Sequence, residues 1–189
     1  MKRLLVKFVR SCPGPTSLPD DGAPEIAFIG RSNVGKSSLL NRISERRNVA
    51  RISSRPGCTQ YLNLYKADDR FYIVDLPGYG YAKAPEKVRR AWVGWINEYL
   101  ADRVALRGVV LLVDARHPDM ETDTKMASFL RSRGRPYVVA LTKSDKLPRG
   151  RLAQAVRKAD AIGPVIAVSA TTGLGAQELG RWILQSVAG

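Results

Sequence analysis

Residues 30–37 read Gly30-Arg31-Ser32-Asn33-Val34-Gly35-Lys36-Ser37, with Ser38 next. Two glycines spaced this way before Lys-Ser form the full eight-residue pattern of a phosphate-cradling loop. The glycines let backbone N–H groups turn inwards on phosphate oxygens. Lys36 supplies a point charge, the Ser37 hydroxyl suits Mg²⁺, and the following helix points its positive N-terminus at the same anion. The flanks fit: Glu25 to Ile29 is a short apolar strand, and Lys36 to Glu45 places Leu39, Leu40 and Ile43 on one helical face.

The rest of the chain alternates in the same way. Gln60 to Lys66 and Arg70 to Asp75 read as two strands, joined through Ala67-Asp68-Asp69 as a hairpin. Val88, Trp92, Trp95, Ile96, Tyr99 and Leu100 keep helical spacing, which favours packing for these aromatics over stacking on a ligand. Val109 to Val113 and Tyr137 to Leu141 are continuous apolar strands of the doubly buried kind. Helices containing Met126, Phe129 and Leu130, then Leu152, Ala155, Val156 and Ala159, follow them. Val165 to Val168 is the last strand, and Leu179, Trp182, Ile183 and Val187 mark the last helix. The expected fold is α/β, a mostly parallel sheet of six to seven strands with helices on both faces. Pro13, Pro15, Pro19 and Pro24 make residues 11–24 an extended leader. The expected division is an N-terminal extension, 1–23, packed on one domain, 24–189.

Three further segments converge on the phosphate loop. Thr142-Lys143-Ser144-Asp145 follows an apolar strand, at the sheet edge where open α/β folds bind ligands. The Asp145 carboxylate can accept both the ring N–H and the exocyclic amine of guanine, and adenine offers no such pair. The Lys143 stem can cover a base face while its ammonium stays wet. Val168-Ser169-Ala170 brings a backbone N–H towards the guanine carbonyl. Asp75-Leu76-Pro77-Gly78 ends a strand with a carboxylate for Mg²⁺ and a glycine N–H for the γ-phosphate. Thr59, in Pro56-Gly57-Cys58-Thr59, offers a hydroxyl that completes the metal shell only with the γ-phosphate present. Such loops order with GTP and relax with GDP.

Charge adds a partner class. The chain carries 31 Lys+Arg against 17 Asp+Glu, a net +14. The surplus is clustered: Arg42, Arg46, Arg47, Arg51 and Arg55; then Lys83, Lys87, Arg89 and Arg90; then Lys146, Arg149, Arg151, Arg157 and Lys158. GTP with Mg²⁺ carries only a few charges, so these clusters read as a footprint for nucleic acid. The longest aliphatic run is about five residues against the ~20 of a membrane span. Lys7 and Arg10 interrupt the N-terminal apolar run, so no signal peptide is expected. Cys12 and Cys58 are too few for a disulfide framework and fit a reducing cytoplasm. His117 reads as a surface-loop residue.

The order GRSNVGKSS, PGCT, DLPGYG, TKSD and VSA resembles the five guanine-nucleotide motifs of translation-factor-type GTPases. GRSNVGKSSLLN with DLPGYGYAK and LTKSDKL resembles the EngB (YihA or YsxC) ribosome-biogenesis GTP-binding proteins, among the TrmE-Era-EngA-EngB-septin-like GTPases. That resemblance implies a P-loop GTPase fold, Mg²⁺, a cytoplasmic monomer, and a role in late assembly of the large ribosomal subunit on its rRNA. It makes the nucleotide-contacting residues Gly30 through Ser38, Pro56 through Thr59, Asp75 through Gly78, Thr142 through Asp145, and Val168 through Ala170. Ser37, Thr59 and Asp75 are the metal residues; Lys36, Thr59, Gly78 and Asn33 are the catalytic ones. Cys58 stands where the family often has a basic residue, and no Lys follows Ser169-Ala170.

In Ras-like enzymes a Gln after the Asp-x-x-Gly motif orients water. Here Tyr79 stands in that place, so slow intrinsic hydrolysis is expected. In related GTPases an Asn at the Asn33 position helps bind K⁺; the alternative is that Asn33 only accommodates the turn. Tyr79 and Tyr81 divide between partner contact and packing. Two other functions remain open at this point. One is a regulator with a different partner, in tRNA modification or cell division. The other is a nucleotide-gated RNA-binding protein that scarcely hydrolyses GTP.

Overall fold

A computed structural model describes residues 4–44, 49–50, 61–79 and 86–189, with side chains of 87–89 excepted. The apolar runs become strands because only a sheet covered on both faces satisfies their backbone while burying every side chain. Seven strands result among the described residues: β1 Val6–Cys12, β2 Glu25–Gly30, β3 Leu62–Ala67, β4 Phe71–Asp75, β5 Leu106–Asp114, β6 Tyr137–Thr142 and β7 Val165–Ala167. Their order is β1-β3-β4-β2-β5-β6-β7. β2 pairs in parallel with β4 and β5, β5 with β6, and β6 with β7, while β3 is antiparallel to β1 and β4. The expected sheet is therefore present with its upper count of strands.

Among the described residues five helices cover it: α1 Lys36–Ile43, α2 Glu86–Asp102, α3 Glu121–Ser132, α4 Arg149–Asp160 and α5 Ala176–Ala188. Ile96, Tyr99 and Leu100 of α2, Ala127 and Leu130 of α3, and Ala155 and Ala159 of α4 share one core with Ala27, Ile29 and Val109. Leu39, Leu40 and Ile43 of α1 and Leu179 and Ile183 of α5 pack on the other face with Ile26, Phe28 and Leu112. An eight-residue helix such as α1 is marginal alone. Burial of three aliphatic side chains, at ~1.5–3 kcal/mol each, holds it in place.

Several boundaries differ from the sequence reading. β3 begins at Leu62 and keeps Ala67, and β4 begins at Phe71. The turn is Asp68-Asp69, both with positive φ (49° and 52°), closed by Arg70 N–H on the Ala67 carbonyl. Positive φ at both central residues matches the right-handed strand twist. β7 stops at Ala167. The strand over Val6–Cys12 was not anticipated. It is the sheet edge, with residues 8–11 exposed and a bulge between Phe8 and Arg10, so it lacks alternation. Beyond it, Pro15–Ser17 forms a 3₁₀ turn and Leu18 is buried. Trp92 and Tyr99 are buried and Trp95 packs against the core, as their spacing predicts. His117 is exposed in the turn after β5. Among the described residues, no helix is long and apolar enough to cross a membrane.

β2 lies at the centre, between β4 and β5, and the chain crosses over it from β4 through α2 to β5. The C-terminal ends of the five parallel strands share one edge. Such a reversal point is where open α/β sheets leave a crevice for a ligand.

Candidate functional site

The loop from β2 into α1 closes at that edge. Gly30 lies so near β5 that a Cβ there would sit 2.7 Å from the Leu112 carbonyl oxygen. Gly35 has φ 104°, a conformation other residues rarely adopt. Asn33 has φ 64° and is exposed; Asn is among the few residues that enter this region readily. Ser32 and Arg31 are half-buried, and Val34 is buried. Lys36 opens α1 at 8% exposure, and its Nζ donates to Oδ1 of Asp75, which is 2% exposed. Ser37 and Ser38 follow it on the first helical turn, half-buried.

Asp75 ends β4. Leu76 N–H donates to the Phe28 carbonyl (3.0 Å), and Leu76 and Pro77 are buried. Gly78 lies against Ser32, where a Cβ would meet the Ser32 nitrogen at 3.0 Å. The chain then bonds to the phosphate loop: Tyr79 N–H to the Gly30 carbonyl (3.2 Å) and Ser32 N–H to the Tyr79 carbonyl (3.1 Å). The Tyr79 phenol donates to Oδ1 of Asp123 on α3 (2.7 Å). Burial, then the Asp123 charge, pushes the phenol well above its usual pKa. Desolvation raises the Asp123 carboxyl, against the Tyr79 hydrogen bond and the Arg31 charge.

The third component is cross-linked to the first. The buried Thr142 hydroxyl donates to the Val34 carbonyl (2.7 Å). Lys143 has φ 57°, and its Nζ bonds both the Asn33 carbonyl and Oδ2 of Asp114 at 2.8 Å. Burial works to raise the Asp114 carboxyl, but hydrogen bonds from Arg116 and Lys143 outweigh it and hold it well below the usual range. Ser144 is buried and fixes its loop through the Leu141 carbonyl (2.7 Å). Asp145 is half-buried. Its Oδ1 accepts from the Ser169 hydroxyl (2.6 Å), which lowers its pKa. Val168 and Ser169 are buried and Ala170 is half-buried. Arg42 of α1 donates to the Ala170 and Thr171 carbonyls.

Four of the five expected segments thus meet at one edge. The arrangement offers the Lys36 ammonium and the N-terminus of α1 for an anion, and a carboxylate beside a backbone loop for a base. Pro56, Gly57, Cys58 and Thr59 lie outside the described residues. So do Arg46, Arg47, Arg51, Arg55, Gln60, Tyr81 and Lys83, and the side chains of Lys87, Val88 and Arg89. Three residues with roles here were not expected: Arg42, read as part of a basic surface cluster, Asp114 and Asp123. A carboxylate ending an apolar strand, as Asp114 does, was the available signal; Arg42 and Asp123 had none.

Residues 25–143 match the family model described as "50S ribosome-binding GTPase". The chain is 46% identical over 184 residues to a probable GTP-binding protein EngB of Lactiplantibacillus plantarum, covering 94% of this chain and 93% of that one. It is 44% identical over 189 residues to its counterpart in Geobacillus kaustophilus, covering 96% of each. A crystal structure of a probable GTP-binding protein engB superposes with a TM-score of 0.74 at 25% identity, covering 87% of this chain and 98% of that one. Aquifex aeolicus Era bound to GDP.AlF4- shares the fold, with a TM-score of 0.70 at 22% identity, over 86% of this chain and 56% of Era. The chain belongs to the EngB family of GTP-binding proteins, and it is a GTPase.

Proposed function

We propose that this GTPase is a nucleotide-gated switch in assembly of the large ribosomal subunit, acting in the cytoplasm as a monomer. The observation that carries the switch is the two-way backbone pairing of Tyr79 with Gly30 and Ser32. A change at the terminal phosphate, felt in the phosphate loop, reaches the segment after Gly78 through those bonds. Three things support the ribosomal partner. The net charge is +14, far beyond what a nucleotide requires. Arg149, Arg151 and Arg157 are exposed on α4. The family model's own description names 50S binding.

In this reading Lys36 and the amides opening α1 bind the phosphates, since the Ser32 and Val34 N–H groups are held by the Tyr79 and Arg31 carbonyls. Asp145, Lys143 and the Ala170 N–H read guanine, with Thr142, Ser144, Val168 and Ser169 shaping that loop. The described residues hold no group of three or more His, Cys, Asp or Glu suited to a metal ion. One carboxylate and two hydroxyls, from Asp75, Ser37 and Thr59, suit Mg²⁺, which is commonly held by few protein oxygens together with substrate phosphates. Bound there, Mg²⁺ would neutralise charge on the phosphate oxygens.

Hydrolysis is slow because the residue in the Gln place is not free to orient water. The Tyr79 phenol is committed to Asp123 and its pKa is raised. Gly78 offers an N–H to the γ-phosphate, and Asn33 would hold a K⁺ ion, which would supply positive charge there. Single-turnover hydrolysis in K⁺ and Na⁺ buffers, with and without purified large subunits, tests this. Faster turnover in K⁺, and again with subunits, is expected. Equal rates in the two salts remove the ion from the scheme, and indifference to subunits removes the partner.

A further inference from the structure

β5 ends in Asp114, which the strand register sets opposite Thr142 of β6, and Lys143 follows Thr142. An apolar strand thus delivers a carboxylate beside the base-reading loop, where it is 7% exposed. Its Oδ1 accepts from the Arg116 backbone N–H (3.0 Å) and Nε (2.9 Å), and its Oδ2 from Arg116 Nη2 (2.7 Å) and Lys143 Nζ (2.8 Å). The same Nζ donates to the Asn33 carbonyl of the phosphate loop (2.8 Å). The Lys143 stem reaches these acceptors past Gly35, where a Cβ would come within 3.9 Å of the Lys143 Cε. Lys143 also has φ 57°, and the other non-glycine residues with positive φ among the described ones are Asn33, Asp68 and Asp69. Asn and Asp are enriched in that region and Lys is not, so Lys143 is the strained member of the set. Such strain persists only where surrounding contacts over-determine it.

We propose that Asp114 is a positioning residue for nucleotide binding: it fixes the Lys143 ammonium against the phosphate loop, so that the Lys143 stem is already laid along the face where the base docks. This rests on the reading that the Lys143 stem covers guanine. A lysine stem is flexible, and ordering it before the nucleotide arrives removes that entropy loss from binding. Arg116 holds Asp114 in place while Asp114 holds the lysine. Asn at position 114 is a poor substitute, because donors approach both oxygens and an amide would turn an NH₂ group towards one pair of them.

The test is calorimetric GDP binding to the wild type, Asp114→Asn, Lys143→Ala and the double variant. Lys143→Ala should bind GDP about 10-fold or more weakly, and Asp114→Asn about 5-fold more weakly, on the scale of a lost charge-assisted hydrogen bond. In the Lys143→Ala background Asp114→Asn should cost less than about 2-fold, because residues that act through one another are not additive. Wild-type affinity in Asp114→Asn, or the same loss with and without Lys143, overturns the proposal. Wild-type affinity in Lys143→Ala instead overturns the reading that Lys143 covers guanine, and the role of Asp114 with it. A second measurement needs no Asp114 variant. In the GDP-bound wild type, NMR should show a scalar coupling across the hydrogen bond from the Lys143 Nζ to the Asp114 Cγ, and its absence would mean that the pair does not hold the lysine over a bound nucleotide.

Discussion

Tyr79 donates a 2.7 Å hydrogen bond to Oδ1 of Asp123, a fully buried carboxylate whose Oδ2 has no hydrogen-bond partner among the described residues. The bond pins the segment after Gly78 to α3 while its backbone is pinned to the phosphate loop. It also decides what Tyr79 does: its hydroxyl serves the helix, not water at a phosphate.

Tyr79→Phe should lower unfolding free energy by about 1–3 kcal/mol, the cost of leaving a buried acceptor unmet. The loss should depend on pH. Burial already raises the Asp123 pKa in the folded state, and the Tyr79 bond opposes that rise. A raised carboxyl contributes stability fully below its unfolded pKa, near 3.9, and loses it as pH climbs through the folded value. Removing the bond raises the folded pKa further. The gap between variant and wild type should therefore be small near pH 4 and widen towards pH 7 in urea titrations. A gap that narrows with pH contradicts the assignment.

Arg103→Ala should cost about 3–5 kcal/mol, because it strands a buried charge. Glu25 is 1% exposed; it accepts from the Tyr99 hydroxyl (2.8 Å) and from Arg103 (2.6 Å). Arg103 also donates to the Pro19 carbonyl, tying the N-terminal segment to the sheet. Adding Glu25→Gln should recover part of the loss, since a neutral amide still accepts from Tyr99. Denaturant midpoints check this; a loss below about 1 kcal/mol would mean the charge finds water.

Asp145→Asn should exchange guanine preference for xanthine, a swing on the order of 10⁴-fold, because the carboxamide donates where the carboxylate accepted. The Ser169 hydroxyl holds the Asp145 carboxyl below the usual range. The wild-type carboxylate therefore stays ionised through neutral pH, and GDP affinity should stay flat above about pH 5. Competition binding with guanosine, xanthosine and adenosine diphosphates measures both. Full retention of guanine preference by the variant contradicts the base-reading assignment.

Much of the site was legible because its chemistry is local. A phosphate loop needs its glycines, Lys36 and Ser37 in one run, and Thr142 to Asp145 needs only a strand end. What was hidden is long-range or unpatterned. Arg42 looks like a solvated charge until the chain brings Ala170 beside it. Asp123 reads as a helix-start carboxylate, and nothing in its neighbours announces that Tyr79 will bury it. Glu25 passes for the polar first residue of an apolar strand, though its partner lies 78 residues away. β1 escaped notice because an edge strand with four successive exposed residues carries no alternation.

The claim that GTP gates docking on ribosomal RNA is tested most directly by co-sedimentation with large subunits, loaded with a non-hydrolysable GTP analogue or with GDP, across a salt series. The analogue-bound protein should pellet and the GDP-bound protein should remain in the supernatant. Binding should fall roughly 10³-fold or more between ~50 and ~200 mM salt if six or more phosphates are touched. Equal pelleting in both nucleotide states, or a flat salt response, would contradict it.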